Sequence, residues 1–189
     1  MSRPKDPQWQ AALHAAIKAN RSDAHSRYLQ LASVDAAGWP RNRTVVFRGF
    51  GGDGETLMAV TDSRSAKLAE FQAQPRGEIC WYFARTREQF RIAVQVSVVT
   101  EQNDADGLRG SLWNNLSDAA RSQFYWPTPG VPHSEDEPSP AEPPERVARY
   151  FSVLEFRPQR IDHLKLGHRH YRVISERHQT GWKSWDVNP

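Results

Sequence analysis

The chain of 189 residues is long enough to build one domain around a substantial core and short for two full-size enzyme domains. With 38% hydrophobic and 25% charged residues and a formal net charge of +3, it lies in the globular class, outside disordered compositions and outside dedicated nucleic-acid binders. One cysteine, Cys80, excludes an intramolecular disulfide framework and a Cys-rich zinc site; no apolar run reaches the roughly 18 residues of a membrane span, and the N-terminus lacks a signal-peptide core, so the expected setting is the cytoplasm, away from membranes.

Residues 7–20 place Trp9, Leu13, Ala16 and Ile17 at helical spacing, with Pro7 acceptable in a first turn, which predicts an amphipathic helix. Short runs bounded by turn chemistry follow. Residues 28–34 and 43–50 read as strands around an Asp35-Ala36-Ala37-Gly38 turn, the second closed by Gly51-Gly52-Asp53-Gly54. Residues 57–61 give a third strand, 63–74 a helix stopped by Pro75, and 78–83 a fourth strand. From 89 to 100 the alternation is clean: Phe90, Ile92, Val94, Val96 and Val98 face one way, and Gln89, Arg91, Ala93, Gln95 and Ser97 the other. The first face is core; the second is solvated or functional.

Residues 103–126 read as helical, with Ser117 as an N-cap and Asp118 in the turn after it. Residues 127–144 then hold seven of the thirteen prolines with Glu135, Asp136, Glu137 and Glu142, and no apolar period, which predicts a mobile or extended acidic loop. Strand-like runs return at 150–156, 160–166, 170–175 and 182–187. Short strands, few helices and no regular βα alternation predict a mainly β chain with flanking helices, a small antiparallel barrel forming a single domain over residues 1–189.

The segment Thr61-Asp62-Ser63-Arg64-Ser65-Ala66-Lys67 puts two cations in the first turn of a predicted helix, where the helix dipole repels them. A bound anion reverses that sign, since free backbone N–H groups, a Ser hydroxyl and a Lys ammonium form a phosphate cradle. The alternative that both side chains extend into water stays open. Arg43 and Arg48 share one predicted strand, and their odd separation places them on opposite faces unless the strand bends. Gln89 and Arg91 share a polar strand face and offer donors and an acceptor to a heteroaromatic ring edge; a solvated outer face is the alternative. His163, His168 and His170 invite a metal reading, but their neighbours Arg169 and Arg172 are cationic and Asp162 is the sole nearby carboxylate, so no metal site is expected. Hydrolase elbows, Walker loops and dinucleotide fingerprints are absent.

Taken in order, residues 38–48 (Gly-Trp-Pro-Arg-Asn-Arg-Thr-Val-Val-Phe-Arg), Val60-Thr61 to Ser65-Ala66-Lys67, Arg87-Glu88-Gln89-Phe90-Arg91 and a late His-rich stretch ending in Arg172 resemble the pyridoxamine 5'-phosphate oxidase family of FMN-binding split barrels. The resemblance extends over residues 28–189 and is nearest to a bacterial subfamily of FMN-dependent oxidase-like proteins, in which Trp113-Asn-Asn-Leu-Ser117, Phe124-Tyr-Trp-Pro127 and Pro129-Gly130 are also typical. It implies a six-stranded antiparallel split barrel and a homodimer with FMN in clefts between the subunits. By position it implies Arg43 and Lys67 on the FMN phosphate with Ser65 beside them, Thr44, Val45 and Val46 along the flavin, Val60 and Thr61 flanking it, and Gln89 and Arg172 on the ring system. Arg91 joins this set from its shared face with Gln89.

On the substrate side the resemblance implies Arg48 at a phosphate-binding Lys position and His170 at a substrate-contacting His, while His168 stands where the oxidases have a substrate Arg. There are other departures. Ala66-Lys67 replaces an Arg-Lys pair, with Arg64 as the candidate substitute cation; Leu164 replaces a Trp near the flavin; and Arg121 and Ser122 align poorly with the oxidases' mid-chain substrate segment. The implied activity is hydride transfer from a small substrate, of pyridoxal-phosphate type, to FMN, with oxygen or another acceptor reoxidising the flavin. The alternatives are a non-catalytic flavin-binding module, or a barrel holding another anionic cofactor such as haem or a deazaflavin.

Overall fold

The alternation that marks the fifth strand in the sequence sets the plan of the whole sheet. In a computed structural model, which describes residues 7–132 and 146–189, β5 (Glu88–Val99) buries Phe90, Ile92, Val94 and Val96 and turns Arg91, Gln95 and Ser97 outward. The same rule orients β1 (Tyr28–Val34), which buries Leu29, Leu31 and Ser33, and β4 (Arg76–Phe83), which buries Ile79, Trp81 and Phe83. β2 (Pro40–Phe50) contributes Val45 and Phe47, and β3 (Leu57–Asp62) contributes Leu57 and Ala59.

The strands lie in the order β3-β2-β1-β4-β5-β6, where β6 is Phe151–Lys165, and β3 pairs back onto β6 from Leu57↔Phe156 to Asp62↔Phe151. This closes a six-stranded antiparallel barrel and removes its open edges. A hairpin of β7 (Tyr171–His178) and β8 (Gly181–Asp186) continues from β6 outside the barrel. The first helix, α1 (Gln8–Ala19), inserts Trp9, Leu13 and Ala16 into the main core, and Trp9 packs against Trp182 of the outer hairpin at 5.1 Å between rings. The short helix α2 (Ala66–Ala73) adds Leu68 and Phe71 to that core.

Three elements differ from their sequence reading. The runs 150–156 and 160–166 are one strand, β6, because a bulge absorbs the interruption: Ala93 pairs with Arg160 and Val94 with Pro158, leaving Gln159 unpaired. Pro158, which has no N–H to give, stands at the irregularity and not inside a regular ladder. The helical stretch 103–126 is divided into α3 (Leu108–Asn114), α4 (Asp118–Ser122) and a 3-10 turn at Gln123–Tyr125. Gly107, in the left-handed region at φ 66°, starts α3, and Ser117 caps α4 by accepting from the Ala120 N–H. The helix expected from residue 63 begins at Ala66, since Ser65 keeps an extended backbone as its N-cap residue. The acidic proline-rich loop lies outside the described residues from 133 onward.

A second apolar cluster joins α3 and the 3-10 turn to the barrel through Leu112, Trp113, Leu116, Phe124, Phe151 and Val153. Arg109, buried on α3, fixes this attachment by donating from Nε to the Phe151 carbonyl at 2.7 Å and from Nη2 to the Ala148 carbonyl at 2.8 Å. Among the described residues no helix is long and apolar enough to cross a membrane.

The close approach of α2 to the sheet depends on Gly77 of β4. A Cβ there would lie 2.7 Å from the Ala32 carbonyl oxygen and 3.2 Å from a Phe71 ring carbon. Gly77→Ala is therefore expected to cost about 1–3 kcal/mol in denaturant unfolding, as overpacked sites do. An unchanged midpoint would show that the α2 contact has slack.

Candidate functional site

A cleft of about 650 Å3 opens beside β2, where the polar positions of the strand meet the start of α2. One wall is Arg43, Thr44, Val45, Val46 and Arg48 of β2, with Val60, Thr61 and Asp62 of β3 and Lys67 of α2. The facing wall comes from the α3–α4 region: Leu116, Ala120, Gln123, Phe124 and Trp126, with Pro127 and Pro129.

The cationic end of the cleft is built by the turn from β3 into α2. Ser65 donates from Oγ to the Asp62 carbonyl at 2.7 Å, which tightens the turn and presents the Lys67 side chain back toward β3. The Lys67 ammonium donates to Thr61 Oγ1 and to Ser65 Oγ, each at 2.9 Å. It has no carboxylate within ion-pair distance among the described residues, and burial together with the nearby Arg43 guanidinium pulls its pKa below the ordinary 10.5. Arg43 faces inward at the end of the barrel. Its Nη1 donates to Ser33 Oγ at 2.5 Å and to the Leu31 carbonyl at 3.3 Å, and its Nη2 to Glu70 Oε2 at 2.6 Å. Glu70, buried on α2, also accepts from Ser33 Oγ at 2.5 Å. The one buried carboxylate near this end is thus bound to Arg43, and Lys67 feels Glu70 and Asp62 only at a distance, without an ion pair among the described residues. Sequence reasoning missed Glu70 and Ser33: a Glu three residues after Lys67 reads as an ordinary helix-surface position, and its inward direction emerges only from the packing of α2.

Arg64, the candidate substitute cation, is engaged by partners of its own. Asp62, two residues back, takes its guanidinium through Nε–Oδ1 at 3.0 Å and Nη2–Oδ2 at 2.6 Å. The same group donates to the Trp126 carbonyl at 3.0 Å and lies 4.2 Å from the Tyr150 ring centre, so it ties the facing wall to β3 and does not line the cleft. Because α2 starts at Ala66, the dipole argument applies to Lys67 alone.

Arg48 reaches the cleft by the bend that its spacing from Arg43 demands. Phe47 pairs with Ala59 and Gly49 with Met58, so Arg48 is the extra residue of a β2 bulge, and Gly49 takes φ 134° to make it. Arg48 Nε is buried without a partner among the described residues, and burial and the charge of Arg27 both lower its pKa.

Gln89, Arg91, Arg172, His168 and His170 do not line this cleft. Gln89 of β5 lies opposite Tyr82 and Leu164 in the sheet and accepts a weak contact from Cys80 Sγ at 3.7 Å. Arg91 donates to Glu78 at 2.9 Å and stands 3.7 Å from Asp162, while Arg172 grips Asp162 through two bonds of 2.9 and 2.8 Å. Those bonds and charges hold the Asp162 carboxyl below the usual carboxylate range. His168 and His170 are exposed in the β6–β7 turn. His163 is apart from them, buried, stacked on Phe90 at 4.1 Å and bonded to Glu88 at 3.0 Å.

A closed split barrel with an anion-seeking cleft at the β3–α2 turn defines a class of cofactor-binding proteins, and comparison with known proteins agrees. Residues 6–100 match the family described as "Pyridoxamine 5'-phosphate oxidase, FMN-binding domain". The chain is 36% identical over 192 residues to pyridoxine/pyridoxamine 5'-phosphate oxidase 2 of Arabidopsis thaliana, with 96% of each chain covered. It superposes with a TM-score of 0.88 and 44% identity on the crystal structure of a pyridoxamine 5'-phosphate oxidase-related, FMN-binding protein from Nostoc punctiforme PCC 73102, covering 98% of this chain and 99% of that one. PhzG from Burkholderia lata 383, solved in complex with tetrahydrophenazine-1-carboxylic acid, shares the fold at a TM-score of 0.77 and 17% identity, covering 100% of this chain and 95% of that one. The chain belongs to the pyridoxamine 5'-phosphate oxidase-like family of FMN-binding split barrels, and its cofactor is FMN. The donor set suits that group, since an uncompensated ammonium flanked by two hydroxyls is a charge arrangement that a phosphate completes.

In the FMN-free protein the Lys67 ammonium should titrate below pH 10.5, and its midpoint should rise in Arg43→Gln, which removes a neighbouring positive charge. Side-chain NMR of labelled lysine measures this; a wild-type midpoint at or above the ordinary value would contradict the burial and charge assigned to Lys67.

Proposed function

We propose that this protein is an FMN-dependent oxidoreductase that oxidises a small substrate of pyridoxal-phosphate type. The observation that carries the reading is a cleft that has, among the described residues, a cation without an ion-pair partner at each of two places, Lys67 at one and Arg48 at the other. Arg43, with Lys67 beside it, and Arg48 are five residues apart on β2, roughly 16 Å in an extended strand, with Thr44, Val45 and Val46 between them. That spacing accommodates two anionic groups with flat rings between.

In this reading Lys67 and Arg43 hold the FMN phosphate, with Ser65 beside them. Lys67 keeps its proton on Nζ when the phosphate arrives, because the anion reverses the effect of burial. Glu70 and Ser33 orient Arg43. Val60 and Thr61 flank the flavin, and the Phe124 and Trp126 wall limits access of water. Arg48 orients the anionic group of the substrate. FMN, when bound, supplies hydride acceptance, and the chain's residues supply binding, orientation and field.

The proposal includes a homodimer in the cytoplasm. Gln89, Arg91 and Arg172 lie away from the cleft of their own chain and would serve the cleft of a partner, with His168 and His170 at its substrate end. Exposed Tyr28 and Tyr82, 43% and 50% accessible on the adjacent strands β1 and β4, support a surface that a second copy covers.

The purified protein is expected to be yellow and to bleach anaerobically on addition of pyridoxamine or pyridoxine 5'-phosphate. A yellow protein that neither substrate bleaches would leave the flavin-binding module in place of the oxidase. Lys67→Ala should weaken FMN binding by about 1.5–3 kcal/mol, the range for a charge-assisted hydrogen bond, measured by flavin fluorescence. If the clefts are shared, refolding Lys67→Ala together with Arg172→Ala should restore tight FMN sites in mixed dimers that neither variant forms alone. Absence of such complementation would place Arg172 outside the flavin site.

A further inference from the structure

We infer that Lys67 is a carbonyl-reactive amine in the FMN-free protein: its Nζ condenses with a small aldehyde to an imine, and the aldehyde and FMN exclude one another from the cleft. The inference rests on the proposed function for the identity of the aldehyde, because oxidation of a primary amine or alcohol of pyridoxal-phosphate type yields one.

The hydrogen bonds of Lys67 prepare the amine for this. Nζ donates to Thr61 Oγ1 and to Ser65 Oγ, each at 2.9 Å, and these are its acceptors among the described residues. An ammonium has three N–H donors, so one is left without a protein acceptor. A neutral amine has two, which the hydroxyls take up, and its lone pair remains for an occupant of the cleft that Lys67 lines. That cleft, at about 650 Å3, has room for a ring-bearing aldehyde. The two carboxylates whose charge Lys67 feels are bound to arginines, Glu70 to Arg43 and Asp62 to Arg64, each at 2.6 Å. Burial and the Arg43 guanidinium lower the Lys67 pKa against their pull, which enriches the neutral nucleophile over that of an ordinary lysine. Lys18, Lys165 and Lys183 are exposed instead, where water can take every N–H.

In the reaction the lone pair of Nζ adds to the aldehyde carbon, the carbonyl oxygen takes up protons and leaves as water, and a C=N bond to Nζ remains. One ammonium and one aldehyde give one protonated imine and one water, with nothing oxidised or reduced. The positive charge of the turn is kept, but its N–H donors at Nζ fall from three to one, and the attached carbon skeleton occupies the space beside Thr61 and Ser65. A phosphate then finds neither the donors nor the room. The aldehyde formed by the proposed oxidation thereby caps chains that have lost their flavin, and bound FMN protects the others.

The test treats FMN-free and FMN-loaded protein with equimolar pyridoxal 5'-phosphate at mildly alkaline pH, traps the imine with borohydride and maps the labelled lysines by peptide mass spectrometry. In the FMN-free protein Lys67 is expected to label several-fold faster than Lys18, Lys165 or Lys183. Bound FMN should suppress labelling of Lys67 and leave those three unchanged. Arg43→Gln, which removes a neighbouring positive charge and frees Glu70, should slow labelling of Lys67, a change that mere accessibility would not produce. Labelling of Lys67 no faster than that of the exposed lysines, or labelling that bound FMN does not suppress, would overturn the inference, while FMN uptake by the untreated sample leaves the cofactor reading standing. Preferential, FMN-suppressed labelling in a protein that neither pyridoxamine nor pyridoxine 5'-phosphate bleaches would uphold the reactive amine and defeat the proposed oxidase.

Discussion

The structure turns on an ammonium group without a counter-charge. Lys67 lies half-buried at the beginning of α2, held by the hydroxyls of Thr61 and Ser65, next to the Arg43 guanidinium and with no carboxylate of its own among the described residues. Glu70 stands one turn further along the same helix and is bound to Arg43 and Ser33 instead. Neutralising Lys67 within the chain would have needed only a different direction for that carboxylate. The observed arrangement leaves a net positive end to the cleft, which an anionic group completes.

Barrel closure is what makes this arrangement rigid. β3 is hydrogen-bonded to β2 on one side and to β6 on the other, so the turn that carries Thr61, Ser65 and Lys67 projects from a strand fixed on both edges. Arg64 then fastens the opposite wall to the same turn through Asp62 and the Trp126 carbonyl, and Arg109 anchors α3 to the start of β6. The two walls of the cleft are therefore joined through buried or half-buried arginines, each satisfied by carbonyls or a carboxylate. The arginines that join the walls of the cleft are bonded within the chain.

Much of this was legible in the sequence, and the reasons differ by region. The barrel strands were readable because each buries one face and so alternates with period two, most plainly over β5. The cationic end was readable because Thr61, Ser65 and Lys67 are nearly contiguous and need no tertiary information to be brought together. Pro158 hid the continuity of β6, since a bulge is a property of two strands and only one of them carries the proline. Gly107 and Ser117 divided the 103–126 stretch, although an apolar period runs through both positions. Arg48 required the bend at Gly49, a residue whose presence in a strand does hint at a bulge. The direction of Glu70, and the pairing of Arg64 with Asp62 in place of a ligand, depend on packing that no local pattern encodes. Gln89 was placed with the cofactor by its polar strand face and by resemblance, and Arg172 by resemblance; neither lines the cleft of its own chain.

Phosphorus NMR of bound FMN examines the central claim at the atoms concerned. A phosphate resting against Lys67 and Arg43 should stay dianionic well below the pKa of about 6 of a free phosphate monoester, because two neighbouring cations stabilise the second charge. A bound phosphate that titrates like that of free FMN would mean that the charged turn after β3 does not hold it.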